Sequence, residues 1–506
     1  MTNLNVSTDG SDNFTTVVKN HATVESRTPT NWIILVEAIW DQRSASGDQR
    51  LATSDWRSAT GDQVEGEFAD PASRYHFENC YDSGAMILLL ISIAVSLHFD
   101  ASARVADPMQ ETPATIGARL MQDAVVKAAV DRVRRDEAQL LEEQVRLCEI
   151  PAPPFKEARR AEAYRQAFQS LGLKSVRIDT AGNVLGERPG LAPRPHLVFS
   201  AHLDTVFPEE TRVQTSRTGP VLKGPGISDD CRGLAVLLGV IKALNDGNVQ
   251  TPGSITFVGT VGEEGLGDLR GVKHLFNAEL KGRIDRFVSV DGAGLGITHV
   301  GVGSLRYRVA FKGPGGHSYG AFGIANPIHA LGRAIEKIAN LRVPREPKTT
   351  FNVGRVGGGT SVNAIAAEAW MEVDLRSSDR AALTALDAGF QKALDVALAE
   401  ENERWGNRER LVLEKTVVGN RPAGRTPAEA PIVQAAISVT RALGLEAALD
   451  EGSTDANIAM SLGIPAITVD GGGSATGTHS PSEAFDSTNS WQGTARALLL
   501  AVALAR

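Results

Sequence analysis

Four short apolar runs constrain this chain more than any other feature, because each leads into a residue that can bind a metal or move a proton. Leu197 to Ala201 leads into His202 and Asp204. Ser254 to Val261 leads into Glu263 and Glu264, and Arg286 to Val290 into Asp291. Pro465 to Val469 leads into a glycine-rich loop and then His479. Runs of this length, bounded by turn residues, read as buried strands. In open α/β sheets, ligands collect beyond the carboxyl ends of the strands. A lone Glu-Glu pair is ordinarily a solvated acidic turn, and a lone His-x-Asp is ordinarily a satisfied core histidine. The repetition at four strand ends argues for a site.

The spacings suggest a division of labour. Neighbouring side chains on an extended backbone point apart, so Glu263 and Glu264 can serve two tasks, one metal binding and one proton transfer. His202 and Asp204 are two apart and project from the same side, which suits an imidazole ligand with a carboxylate that orients it. A glycine-rich loop, Gly224 to Gly233, carries Asp229 and Asp230 and opens into an apolar helix from Leu234 to Leu244. Helix capping is the competing use for those two acids. Histidine and carboxylate donors without a thiolate suit Zn²⁺, with Mn²⁺ or Co²⁺ as alternatives. Five such donors with a shared carboxylate imply two ions.

The 506 residues are 42% hydrophobic and 22% charged, enough for two or more domains. A formal net charge of -8, with no basic run, excludes a nucleic-acid binder. Cys80, Cys148 and Cys231 fit neither a zinc ribbon nor a disulfide framework by spacing. Residues 1–85 are polar and without sustained periodicity, and are expected to be disordered or a spurious extension. Met86 to Leu97 is an apolar run too short to span a bilayer, and Ala101-Ser102-Ala103 follows it. Residues 86–103 therefore read as a signal peptide, with Met86 as the true start because no Lys or Arg precedes the run closely; a buried helix or a membrane anchor is the competing reading. The protein is then periplasmic or secreted, and otherwise cytoplasmic.

Helices are expected over 119–149 and from Phe155 to Leu171, then a hairpin from Ser175 to Leu185. Between Asp291 and the last strand the pattern changes. Strands over 299–312, 349–356, 364–376 and 410–418 alternate with helices over 326–341 and 380–401 in the order β-α-β-β-α-β. The fold class expected is α/β, a mostly parallel sheet sandwiched by helices. Its catalytic domain covers 119–297 and 421–506, and an α+β ferredoxin-like domain is inserted at 298–420.

The motifs go further than their spacing. Ser-Ala-His202-Leu-Asp204, Gly-Ile-Ser-Asp229-Asp230, Gly-Glu263-Glu264-Gly, Val-Asp291-Gly, Gly-Gly-His317-Ser, Gly-Thr-Ser-Val-Asn363 and Gly-Thr-His479-Ser occur in that order. This set resembles the dizinc peptidase and deacylase family of glutamate carboxypeptidase, aminoacylase, peptidase T and succinyl-diaminopimelate desuccinylase. The likeness covers roughly residues 120–506. It implies a zinc exopeptidase fold and two Zn²⁺ bridged by Asp229, with a cis Asp229–Asp230 peptide. It further implies His202 and Asp291 on one ion, Glu264 and His479 on the other, Asp204 orienting His202, and Glu263 as general base. The inserted domain would be a lid through which the chain forms a homodimer. His317 on that lid would stabilise the oxyanion, often in the partner's site, and Asn363 and Arg376 would hold a substrate carboxylate. The family often has Lys-Gly after the paired acids, where this chain has Cys231-Arg232-Gly233. A thiol there is either oxidant-sensitive or a small buried filler.

The resulting expectation is a zinc-dependent exopeptidase acting on short peptides, of di/tripeptidase or carboxypeptidase type. An N-acyl amino acid deacylase is the enzymatic alternative, and a non-catalytic binding protein on the same fold is the remote one.

Overall fold

The computed structural model describes residues 112–506. The expectations for residues 1–85 and 86–103 lie outside the described residues. The chain opens with helices α1 (Ile116–Leu120), α2 (Ala124–Cys148) and α3 (Ala158–Ser170). Then come β1 (Lys174–Ile178), β2 (Val184–Arg188), β3 (His196–His202), β4 (Ser216–Thr218), β5 (Val221–Lys223) and α4 (Cys231–Asp246). They are followed by β6 (Ser254–Thr260), α5 (Arg270–His274), β7 (Arg286–Val290) and β8 (Gly296–Gly301). A second group comprises β9 (Gly303–Lys312), β10 (Gly316–His317), α6 (Pro327–Ala339), β11 (Thr349–Gly358), β12 (Ala364–Ile365), β13 (Glu368–Ser377), α7 (Arg380–Arg404) and β14 (Val412–Arg421). The chain ends with β15 (Gly424–Arg425), α8 (Pro431–Ala442), β16 (Ala448–Gly452), α9 (Ala456–Ser461), β17 (Ala466–Val469), β18 (Ser474–Thr476), β19 (Ala484–Asp486) and α10 (Trp491–Leu504).

Local signals explain several boundaries. Asp123 caps α2 by accepting from Val125 N and Val126 N, and Asn326 caps α6 with Pro327 in the first turn, where a missing N–H costs nothing. Asp379 caps α7 through Ala382 N.

The main sheet has nine strands, in the order β1-β2-β6-β3-β7-β17-β8-β15, with β16 also paired to β8. Its centre is parallel: β6 with β3, β3 with β7, and β7 with β17. These strands are buried on both faces, which is why they read as unbroken apolar runs. Leu197, Phe199, Ile255, Phe257, Val288 and Ile467 face a helical layer that includes α2, α4 and α10. Val198, Val258, Phe287 and Ala466 face α5 and α9 on the other side.

The second group forms a four-stranded antiparallel sheet in the order β11-β13-β9-β14. Its strand β13 alternates cleanly between buried and half-buried residues, as a strand of a one-sided sheet does. Val309, Phe311, Met371, Val373 and Leu375 pack under α6 and α7. Arg306, Asp374 and Arg376 therefore lie on the open face.

Two expected strands are each divided. The strand expected over 299–312 is β8, which belongs to the main sheet, and β9, which belongs to the second; the chain changes sheets at Val302, whose N–H donates to Gly452 O. Alternation continues through such a crossing, so sequence periodicity cannot reveal it. The second sheet accordingly begins at Gly303, where an insertion from 298 was expected. The strand expected over 364–376 is likewise β12 and β13. The cysteine reading needs a correction too. Cys148, the last residue of α2, and Cys231, the first of α4, form a disulfide with Cα atoms 5.4 Å apart. Cys231 is thus neither a free thiol nor a mere filler.

Candidate active site

The parallel register delivers the site. His202 and Thr260 are partners at the ends of β3 and β6. Val290 and Val469 are partners at the ends of β7 and β17. The residues that follow these strand ends therefore gather along one edge of the sheet.

His202 is buried beneath that edge. Its Nε2 lies 2.9 Å from Asp229 Oδ1 and 3.8 Å from Asp291 Oδ1. Its Nδ1 is 3.0 Å from the Asp204 main-chain oxygen and 3.7 Å from Asp204 Oδ1. The Asp204 carboxylate has a second use: Glu263 N and Glu264 N donate to its two oxygens at 3.0 and 2.8 Å. One buried acid thus fixes the histidine and the backbone of both glutamates. On the far side of Asp229, His479 Nε2 lies 2.9 Å from Asp229 Oδ2 and 2.9 Å from Glu264 Oε1.

The donors form two triads, His202–Asp229–Asp291 and Asp229–Glu264–His479, with the ligand atoms of each within 4.8 Å of one another. Asp229 belongs to both and offers a different oxygen to each histidine. This is a donor set that can hold two divalent ions with a shared carboxylate. The Asp229–Asp230 peptide is cis. Asp230 points away from the triads: Oδ1 accepts from Gly233 N at 2.9 Å and caps α4, and Oδ2 accepts from His202 N at 3.0 Å. A Cβ at Gly233 would sit 2.3 Å from that capping oxygen, so only glycine fits there.

Glu263 is buried beside the triads, where its carboxylate also approaches His202 and Glu264. Arg421, at the end of β14, donates to Glu263 Oε1 at 2.9 Å and to the Glu263 carbonyl. Burial holds the Glu263 carboxyl well above the usual carboxylate range, against the pull of Arg421.

Arg376 lines the cavity beside the triads and donates to Asp374 Oδ2 at 2.6 Å. Arg306 lines it too and reaches Gly265 O at 2.6 Å. His317 and Asn363 lie elsewhere. Both are exposed on the second sheet's side, joined by the β10–β12 ladder and the bond from Ser318 N to Asn363 O. Neither lines the cavity of its own chain.

Sequence reasoning missed two supports. One is Arg421, a single basic residue at a strand end with no periodic signal. The other is Glu483, four residues after His479, whose carboxylate accepts from Gly226 N, Ser228 N, Ser228 Oγ and Asp229 N. Its proximity to His479 was the available clue. Arg232, the departure noted beside the paired acids, is fully buried and donates to Gly471 O and Ser490 O at 2.8 and 2.7 Å. It ties the start of α4 to the loop after β17 and does not enter the cavity.

The chain resembles known proteins in sequence and in fold. The chain is 27% identical over 354 residues to the uncharacterized protein YqjE of Bacillus subtilis, covering 66% of this chain and 90% of that one. A tripeptidase from Staphylococcus aureus superposes with a TM-score of 0.61 at 22% identity, over 73% of this chain and 99% of the other. Bacillus subtilis YxeP, described as a dinuclear metal-binding peptidase, superposes with a TM-score of 0.53 at 18% identity, over 73% and 99%. Residues 198–503 match peptidase family M20/M25/M40. With that match spanning more than half its length, the chain belongs to the M20/M25/M40 peptidase family and is an enzyme of the peptidase and amidohydrolase class.

Proposed function

We propose that this enzyme is an exopeptidase that hydrolyses the amide bond of short peptides with two zinc ions and Glu263 as general base. The observation that carries the reading is the pair of donor triads sharing Asp229, with the Glu263 carboxylate buried against them. His202, Asp229 and Asp291 would hold one ion, and Asp229, Glu264 and His479 the other. When bound, such a pair supplies Lewis acidity and brings the pKa of water at the site down toward about 7. Glu263 takes the proton of the attacking water at its carboxylate and passes it to the leaving amine nitrogen. Arg421, and the backbone N–H groups of Glu263 and Glu264 that donate to Asp204, keep that carboxylate in place. Arg376 meets the substrate's carboxylate, a task its planar fork suits. His317 and Asn363, exposed together away from their own cavity, serve the partner's site in a homodimer, with His317 donating to the tetrahedral oxyanion.

We also propose that the protein works outside the reducing cytoplasm, in the periplasm or beyond. The signal-like segment at 86–103 and the Cys148–Cys231 bridge support this. Amino-terminal sequencing of protein from its native host tests it: a mature chain starting near Arg104 is expected, and an intact Met1 overturns it.

The test of the enzymatic reading is hydrolysis of di- and tripeptides and of N-acetyl and N-succinyl amino acids, with and without a chelator. Chelator-sensitive cleavage restored by Zn²⁺ is expected. Cleavage that survives complete metal removal, or none after zinc is restored, sinks the reading. Cleavage of the N-acyl amino acids alone replaces the peptidase with a deacylase.

A further inference from the structure

The cavity beside the triads has a volume of about 560 Å³, and its lining carries both signs of charge. Arg306, Arg376 and Arg421 come from the open face and end of the second sheet. The rest of the lining comes from the main-sheet half of the chain and includes Thr298, Thr454, Thr468 and Asp470. Most carboxylates of this cavity already have work: Asp229, Glu264 and Asp291 belong to the triads, and Glu263 is the base. Asp374 is paired with Arg376 at 2.6 Å and lies 3.5 Å from Arg306. Asp470 is the one left over.

Asp470 follows β17 directly, as Asp291 follows β7, and the two strands pair in parallel up to Val469 and Val290. The side chains of Asp470 and Asp291 therefore leave neighbouring strand ends, about 4.8 Å apart by strand spacing. Asp470 Oδ2 accepts from Gly296 N at 2.7 Å. The buried Arg496 donates to the Asp470 main-chain oxygen, and its positive charge acts on the carboxylate without a direct hydrogen bond to it. Oδ1 makes no hydrogen bond to any described residue, and the residue lines the cavity. The position is built around this side chain. A Cβ at Gly294 would lie 2.5 Å from Oδ2, and one at Gly296 3.0 Å from it. Thr454 and Thr468, also in the lining, join their hydroxyls at 2.6 Å.

We infer that Asp470 recognises the protonated α-amino group of the substrate, so that the site selects unblocked di- or tripeptides over N-acylated ones. The inference rests on the amide-hydrolase reading above. A short peptide is a zwitterion. Its carboxylate is drawn to the arginines and its amine to Asp470, which lays the peptide bond between them, over the triads. A ligand without the amine leaves one oxygen of a half-buried carboxylate desolvated and without a hydrogen bond, which is a strong basis for discrimination in a pocket of this kind.

The test compares alanyl-alanine with propionyl-alanine, which lacks only the amine, on the metal-loaded wild-type enzyme and on Asp470→Asn. Asparagine keeps an oxygen for Gly296 N–H. Wild type is expected to favour alanyl-alanine in kcat/KM by about 30-fold or more, the scale of losing one buried charged partner. Asp470→Asn should shrink that ratio at least tenfold, chiefly through KM for alanyl-alanine. The wild-type comparison stands even if the variant fails to fold. Equal use of the two substrates by wild type, or an unchanged ratio in a folded variant, overturns the role of Asp470 and leaves amide hydrolysis intact. Cleavage of neither substrate by zinc-loaded wild type overturns both readings.

Discussion

The two histidines of the candidate centre are held in opposite ways. The His202 side chain is 2% exposed, sits at the end of a central parallel strand, and has its second nitrogen against Asp204. The His479 side chain is 52% exposed, lies in the loop between β18 and β19, and has a left-handed backbone with φ of 65°. The first is fixed by the fold itself. The second is fixed by what it points at, with Glu483 bracing the loop opposite it. A strand end positions a side chain through hydrogen bonds shared with the whole sheet, whereas a loop depends on a few local contacts.

The comparison breaks most sharply by deletion. His202→Ala should abolish turnover and metal binding, and should also lower the melting temperature of the metal-free protein by several degrees, as buried-site losses do. His479→Ala should abolish turnover but lower the metal-free melting temperature less than His202→Ala does, because its side chain is half exposed and leaves no cavity in the core. Equal destabilisation by the two would remove the distinction between them. Glu263→Gln should keep the metal in both halves and lower kcat by about 10²–10⁴-fold, measured beside metal content. A variant with near-normal kcat would exclude Glu263 as the base. Glu483→Gln reaches the loop half indirectly and should weaken metal affinity by about 10–100-fold, read by competition with a chelating dye. An unchanged affinity would make Glu483 a purely structural brace.

The smallest effect tests the ground behind the buried half. Asp455 is buried, its Oδ2 accepts from Thr260 Oγ1 at 2.5 Å, and burial pushes its carboxyl up to about 6. Its folded-state pKa lies above the unfolded value near 3.9, so the proton it binds stabilises the fold at low pH. That contribution is full below about 4 and is lost as pH rises through about 6. Metal-free Asp455→Asn should therefore gain on wild type in melting temperature above pH 6. A difference that is flat between pH 4 and 8 contradicts this.

Much of the site was legible because parallel strands place their ends on one edge. His202, Asp229, Glu263, Glu264, Asp291 and His479 could be picked out as strand-end or loop acids and imidazoles without coordinates. Asp204 was read as a partner for His202 alone. Its bonds to the amides of Glu263 and Glu264 depend on strand pairing, which no local spacing encodes. Arg421 and Asp470 left no mark for the same reason: each is a lone charged residue whose neighbours come from other elements. The second sheet was visible as a β-α-β-β-α-β pattern, but the switch at Val302 was not, because alternation is indifferent to which sheet a strand joins. The pairing of Cys148 with Cys231 depends on α2 meeting the start of α4, a contact made only by the finished core.

That bridge has a topological consequence. Its ends are 83 residues apart, and the covalent ring it closes contains His202, Asp204 and Asp229 but none of Glu264, Asp291 and His479. Even when the oxidised chain loses its folded structure, the first histidine and the shared carboxylate stay confined within one loop, while the remaining donors drift with the open chain. In the unfolded ensemble, the histidine and shared acid of the buried half keep a raised mutual concentration that the loop half never has.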